Sequence, residues 1–134
     1  MNWKHFLLAV LAASVTSSFT DWLFAGVLFH DKYFAYPEVW RQKLRQNDTG
    51  AITWSMILGV LTAAAFMTAC VVFGIHGYYS TLEFAALVWL MVPVPLTITN
   101  ALFIKLHPLI VVSHSLGWLA KLAVAALAAG WLLS

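Results

Sequence analysis

The sequence predicts an all-α fold, an antiparallel bundle of four transmembrane helices with a short interfacial helix in the first loop. Three observations lead there. Hydrophobic residues make up 63 % of the 134 residues and charged ones only 9 %, with a mean hydropathy of +0.88, whereas a soluble domain carries ~25 % charged residues. Four apolar segments, 6–29, 52–75, 82–103 and 109–133, each supply the ~20 helical residues that cross a hydrocarbon core of ~30 Å. The links between them are short except for the first, so consecutive helices run antiparallel, and residues 1–134 form a single integral membrane domain.

Each element follows from its residues. Met1 to Ser18 has the outline of a signal peptide, but its apolar character continues to Phe29, which reads as an uncleaved first span. The loop HDKYFAYPEVWRQKLRQNDTG comes next. Pro37 is suited to a first helical position, and EVWRQKLRQ continues as a short helix with Val39, Trp40 and Leu44 on an apolar side, lying in the headgroup plane. HGYYST and IKLHP are tight turns. Pro93 and Pro95 must break or bend the third span, because proline removes a hydrogen bond and clashes with the preceding turn. Gly59 with Ala63, and Ala126 with Gly130, are small pairs four apart that let helices approach closely and invite a homo-oligomer.

Cationic residues set the orientation. Lys32, Arg41, Lys43 and Arg45 in the first loop and Lys105 in the third oppose Lys4 alone on the other side. The positive-inside rule then places the long loop in the cytoplasm and both termini outside it. Tyr78, Tyr79, Trp3 and Trp131 form the outer aromatic belt, and Tyr33, Tyr36, Trp40 and Trp54 the inner one. A formal net charge of +2 is too small and too unevenly placed to suggest a nucleic-acid partner. The single cysteine, Cys70, forms no intrachain disulfide.

Every span also carries a polar stripe. In the fourth, His107, His114 and Lys121 recur every seven residues along one face. The first has Ser14, Ser17, Ser18 and Asp21, the second Ser55, Gly59 and Thr62, and the third Pro93, Thr97 and Asn100. Counted at 1.5 Å per residue, Asp21 lies roughly 12 Å and His114 about 9 Å inside the boundary on the first-loop side. An ionisable group at the bilayer centre costs ~3 kcal/mol or more, so such groups face the bundle interior and pair. Asp21 with His114 is the expected pair, with Asn100 bonding either one. Lys121 either reaches down to Asp21 or faces a water-filled cavity. The stripe thus marks Asp21, His114, Lys121, Asn100, Ser18 and Thr97 as candidate ligand-binding or transport residues.

The run TNALFIKLHPLIVVSHSLGWLAK, following the first-span exit WLFAGVLFHDKYF, is similar to a family of small bacterial four-helix membrane proteins catalogued as a domain of unknown function. Leu28, Phe29, Lys32, Asn100 and Phe103 match that family's pattern of an aromatic helix exit and a later asparagine and phenylalanine; His30 and Asp31 depart from its glycine. The resemblance implies four helices in a bacterial inner membrane and supplies no activity.

Three function classes follow: a protein that binds or transports a small molecule, lipid or ion; an accessory subunit whose seam only holds the bundle; and a lipid-modifying enzyme using Asp21 and His114 as acid and base. HExxH, GxSxG and CxxC are all missing, and the enzyme reading is the weakest. No cofactor is expected. His30, Asp31 and His107 are weak candidates for metal ligands at the first-loop end, with undiagnostic spacing. Membrane lipids are the expected surroundings, with a small molecule or ion as partner.

Overall fold

A computed structural model describes residues 2–40 and 49–133. Among these residues there are helices and no strands. The helices are α1 (Trp3–Asp21), which continues as a π-helix over Trp22–Leu28, α2 (His30–Tyr33), a 3-10 turn at Pro37–Val39, α3 (Thr49–Val72), α4 (Tyr78–Met91), α5 (Pro93–Phe103) and α6 (Pro108–Leu132). Trp3–Leu28, Thr49–Val72, Tyr78–Phe103 and Pro108–Leu132 are long and apolar enough to cross a membrane. This is a multi-pass membrane protein with the all-α architecture expected from its sequence.

Three helices begin three or four residues before the apolar runs do, at Trp3, Thr49 and Tyr78, and α6 one residue before, at Pro108. Hydropathy marks where lipid begins, whereas a helix continues through polar residues until its end groups are capped. Asn2 supplies the cap of α1, its side chain accepting from the backbone N–H groups of Lys4 (3.1 Å) and His5 (3.5 Å). At the same end of the bundle, α3 gives way to a turn at Gly74, whose φ of +65° only glycine adopts freely. Ile75 N–H then bonds Cys70 C=O at 2.8 Å and Gly74 N–H bonds Val71 C=O at 3.3 Å, which closes the helix with a Schellman pair.

The third span breaks where the prolines require it. Val92 (φ −123°, ψ −67°) separates α4 from α5, and Pro93 starts the new helix. The first loop differs from expectation. Pro37 is the first helical residue, but the helix is one 3-10 turn, and Trp40 is already extended (φ −92°, ψ 144°). The rest of the expected interfacial helix, with Leu44, lies outside the described residues.

α6 is the central helix, packing along both α1 and α4 and touching α3 and α5 as well. The core consists of small and flexible residues: Ala9 and Ala13 of α1, Ala63 and Met67 of α3, Ala85 of α4, and Ala125, Ala126 and Ala129 of α6. Without a hydrophobic drive in lipid, close backbone approach provides the attraction. Gly130 shows how close: a methyl group there would lie 2.9 Å from Tyr78 Cδ1 and 3.1 Å from Tyr78 Cα. Ala126 and Gly130 are buried inside one chain, Gly130 against Tyr78, whereas Gly59, four residues from Ala63, borders open space.

Candidate functional site

The packing is uneven along α3. Its C-terminal part buries Gly59, Ala63, Phe66, Met67 and Cys70, while residues 51–58 are all exposed. Where that first half stands away from the bundle, a cavity of about 400 Å³ opens between α1, α3 and α6 toward the first-loop end. This lies within the ~300–1,000 Å³ range of small-molecule sites.

Three helices and the first loop line the cavity. α6 contributes Ser113, His114, Gly117, Trp118 and Lys121. Positions 114, 117, 118 and 121 follow the i, i+3, i+4, i+7 rule for one helix face. α3 contributes Trp54, Ser55, Leu58, Gly59 and Thr62, again one face, and α1 with its π-helical extension contributes Asp21, Phe24 and Ala25. A methyl group placed on Gly59 or Gly117 would meet nothing within 4 Å. These two glycines add to the cavity's width, unlike Gly130.

The charged pair is Lys121 with Asp21. Lys121 Nζ lies 2.8 Å from Asp21 Oδ2, and the two side chains are 12 % and 36 % exposed. The ammonium also sits 4.9 Å from the centroid of the Trp118 ring. A helical side chain leaves its backbone toward the helix N-terminus, so Lys121 points down the bundle to the level of Asp21. That replaces the expected Asp21–His114 pair. His114 instead packs its ring on Tyr33, with centroids 5.5 Å apart.

Tyr33 comes from the short α2 and closes one side of the cavity. Its hydroxyl shares a 3.1 Å hydrogen bond with Ser113 Oγ, and its ring also touches Trp40, with centroids 5.6 Å apart. Burial pushes the Tyr33 phenol above its ordinary value, the Ser113 hydrogen bond opposes this, and the Asp21 charge adds to it. Belt position predicted Tyr33 to be an interfacial anchor; it is an inward latch.

The other expected members are elsewhere. Ser18 Oγ donates to Ser14 C=O at 3.0 Å, and Thr97 Oγ1 donates to Pro93 C=O at 2.8 Å and Val94 C=O at 3.0 Å. Asn100 lies on the exposed surface of α5. The break at Val92 sends α5 against α4 and α6, the side of the bundle away from the cavity. His107 is the N-cap of α6, its Nδ1 accepting from Leu109 N–H at 3.1 Å. His30 packs edge-on against Phe34, and Asp31 is exposed. Among the described residues, no group of three His, Cys, Asp or Glu side chains is placed to hold a metal ion.

Sequence reasoning missed Tyr33, Ser113, Gly117 and Trp118. The signal for the last two was present, since both fall on the His114–Lys121 face, but a search for polar residues passes over glycine and tryptophan. No protein-family model, curated protein or solved structure matches the chain.

Proposed function

We propose that this is a small bacterial inner-membrane protein whose cavity binds, and passes, a small molecule entering from the first-loop side. One observation carries the reading. The Lys121–Asp21 pair stands in the wall of a cavity inside the membrane-spanning region. An ion pair there is expensive, and a bundle held by alanine and glycine contacts gains little from it. The accessory-subunit reading favours a dry seam, which a cavity of about 400 Å³ does not provide. The enzyme reading needs Asp21 free to exchange a proton with His114, and Lys121 holds that carboxylate.

The cationic loops support an orientation with the first-loop end, and the cavity mouth, facing the cytoplasm. Lys105 belongs to this end, where it bonds Glu38 Oε1 at 3.3 Å and lies 4.6 Å from the centroid of the Tyr36 ring. A reporter fused after Ser134 is expected outside the cytoplasmic membrane, and cytoplasmic activity of that reporter overturns the orientation. The site itself is tested by thermal unfolding of the reconstituted protein with short-chain carboxylates and zwitterions. A stabilisation by at least one of these that disappears in Lys121→Met supports the reading; no Lys121-dependent shift with any of them overturns it.

A further inference from the structure

A second cavity, of about 370 Å³, lies in the seam between α3 and α4 and is floored by Leu122 of α6. Leu61, Ala65 and Ala69 of α3 and Phe84 and Val88 of α4 give it apolar walls; its one hydroxyl-bearing lining residue is Thr62. Thr62 lines the charged cavity too, and its Oγ1 is turned back onto Leu58 C=O at 2.9 Å. Leu122 is the residue after Lys121. The charged cavity and the apolar groove therefore share Thr62 as a wall, with polar groups on the first-loop side and hydrocarbon beyond it.

We propose that the two hold a single amphiphile, with a compact head of neutral or negative charge beside Lys121 and His114 and one alkyl chain along the groove. The proposal rests on the first cavity being a binding site. The head's charge follows from what the protein already places there. The position between Asp21 and the face of Trp118 suits a cation, and the tethered Lys121 ammonium fills it. A cationic head would have to displace a group held at high effective concentration. A neutral or anionic head instead meets the remaining Lys121 donors and the His114 imidazole.

Direction and length agree with a chain in this groove. α3 runs away from the first-loop end, so positions 61–69 lie deeper than the charged cavity. The head then sits near mid-span and the chain follows the half of the span away from the first loop. At the far end the Phe84 ring contacts Phe73, with centroids 6.3 Å apart, and closes the seam. The lining from Leu61 to Ala69 runs ~12 Å at 1.5 Å per residue, room for the near part of one alkyl chain.

The test uses the full chain in phosphatidylcholine nanodiscs with a palmitate analogue carrying a diazirine at its chain end. Crosslinks are expected on residues 65–73 and 84–88. Most of that label should be lost on competition with palmitate, but not with butyrate, and in Ala65→Trp, which fills the groove from an exposed position; Ala69→Leu is the alternative if that variant fails to fold. Label spread evenly over the exposed faces of α1 and α5, and indifferent to palmitate, overturns the chain assignment. If a butyrate-induced thermal shift still depends on Lys121 in that case, the cavity reading survives and only the chain proposal falls. If it does not, both fall.

Discussion

Lys121 Nζ and Asp21 Oδ2 are 2.8 Å apart on antiparallel membrane helices, with the lysine side chain only 12 % exposed. Each charge makes the other tolerable in a medium that solvates neither. Removing one partner leaves the other uncompensated. We expect Lys121→Met or Asp21→Leu to cost of order 1–3 kcal/mol, below the ~3–5 typical of fully buried pairs because Asp21 faces the cavity. The double variant Asp21→Leu/Lys121→Met should recover most of that stability while remaining unable to bind. Equilibrium unfolding in mixed micelles measures the first effect and ligand-induced thermal shift the second. Single variants as stable as wild type would show that the pair is not coupled.

The glycines of α6 should divide sharply. Gly130→Ala places a methyl group 3.1 Å from Tyr78 Cα, so the backbones of α4 and α6 must separate, at ~1–3 kcal/mol for an overpacked contact. Gly117→Ala meets nothing within 4 Å and should be neutral to stabilising, since alanine is the better helix former by up to ~1 kcal/mol. Gly117→Leu should also fold, yet fill the cavity and abolish binding. Thermal unfolding of the three variants checks the order.

Ser17 offers a gain. Its side chain is 2 % exposed and its Oγ has no hydrogen-bond partner among the described residues. Leaving a buried hydroxyl unsatisfied costs ~1–3 kcal/mol. Ser17→Ala should therefore raise the melting temperature, and a fall would reveal a partner for that oxygen in the native membrane.

Tyr33 connects the first loop to α6 in a pH-dependent way. Its pKa is raised above the ordinary 10.0, chiefly by burial. A group whose folded-state pKa exceeds its unfolded value contributes stability that is present below the unfolded value and lost as pH rises through the folded one. The latch should hold at neutral pH and weaken on the alkaline side of 10.0. In a phenolate absorbance titration, the component missing from Tyr33→Phe should be a late one. An early component would show that the phenol is solvated.

Much of this fold is legible in the sequence because lipid imposes a simple rule on composition and length. The four spans, the break before Pro93 and the inward placement of Asp21 and Lys121 all follow from the cost of exposing polar groups to hydrocarbon. The choice of partners does not. Depth counting matched Asp21 to His114 by their backbones, whereas Lys121 has a long stem that carries its charge about a helical turn down the bundle. Periodicity puts Thr97 and Asn100 on one face with Pro93, but it does not say which way that face turns beyond the break. The proline break that the sequence did announce redirects α5, and its polar face turns away with it.

Because α6 touches nearly every other element, the order of synthesis bears on assembly. Asp21 enters the membrane early, and the cation that pairs with it arrives only with α6. Until then the nascent chain lacks the partner of Asp21 and leaves open the alanine-lined groove where α6 will sit. A chain truncated after Phe103 should be degraded rather than accumulate, while α6 supplied as a separate peptide should rescue it. α6 thereby closes the bundle in two senses: it fills the groove and brings the charge that Asp21 lacks until then.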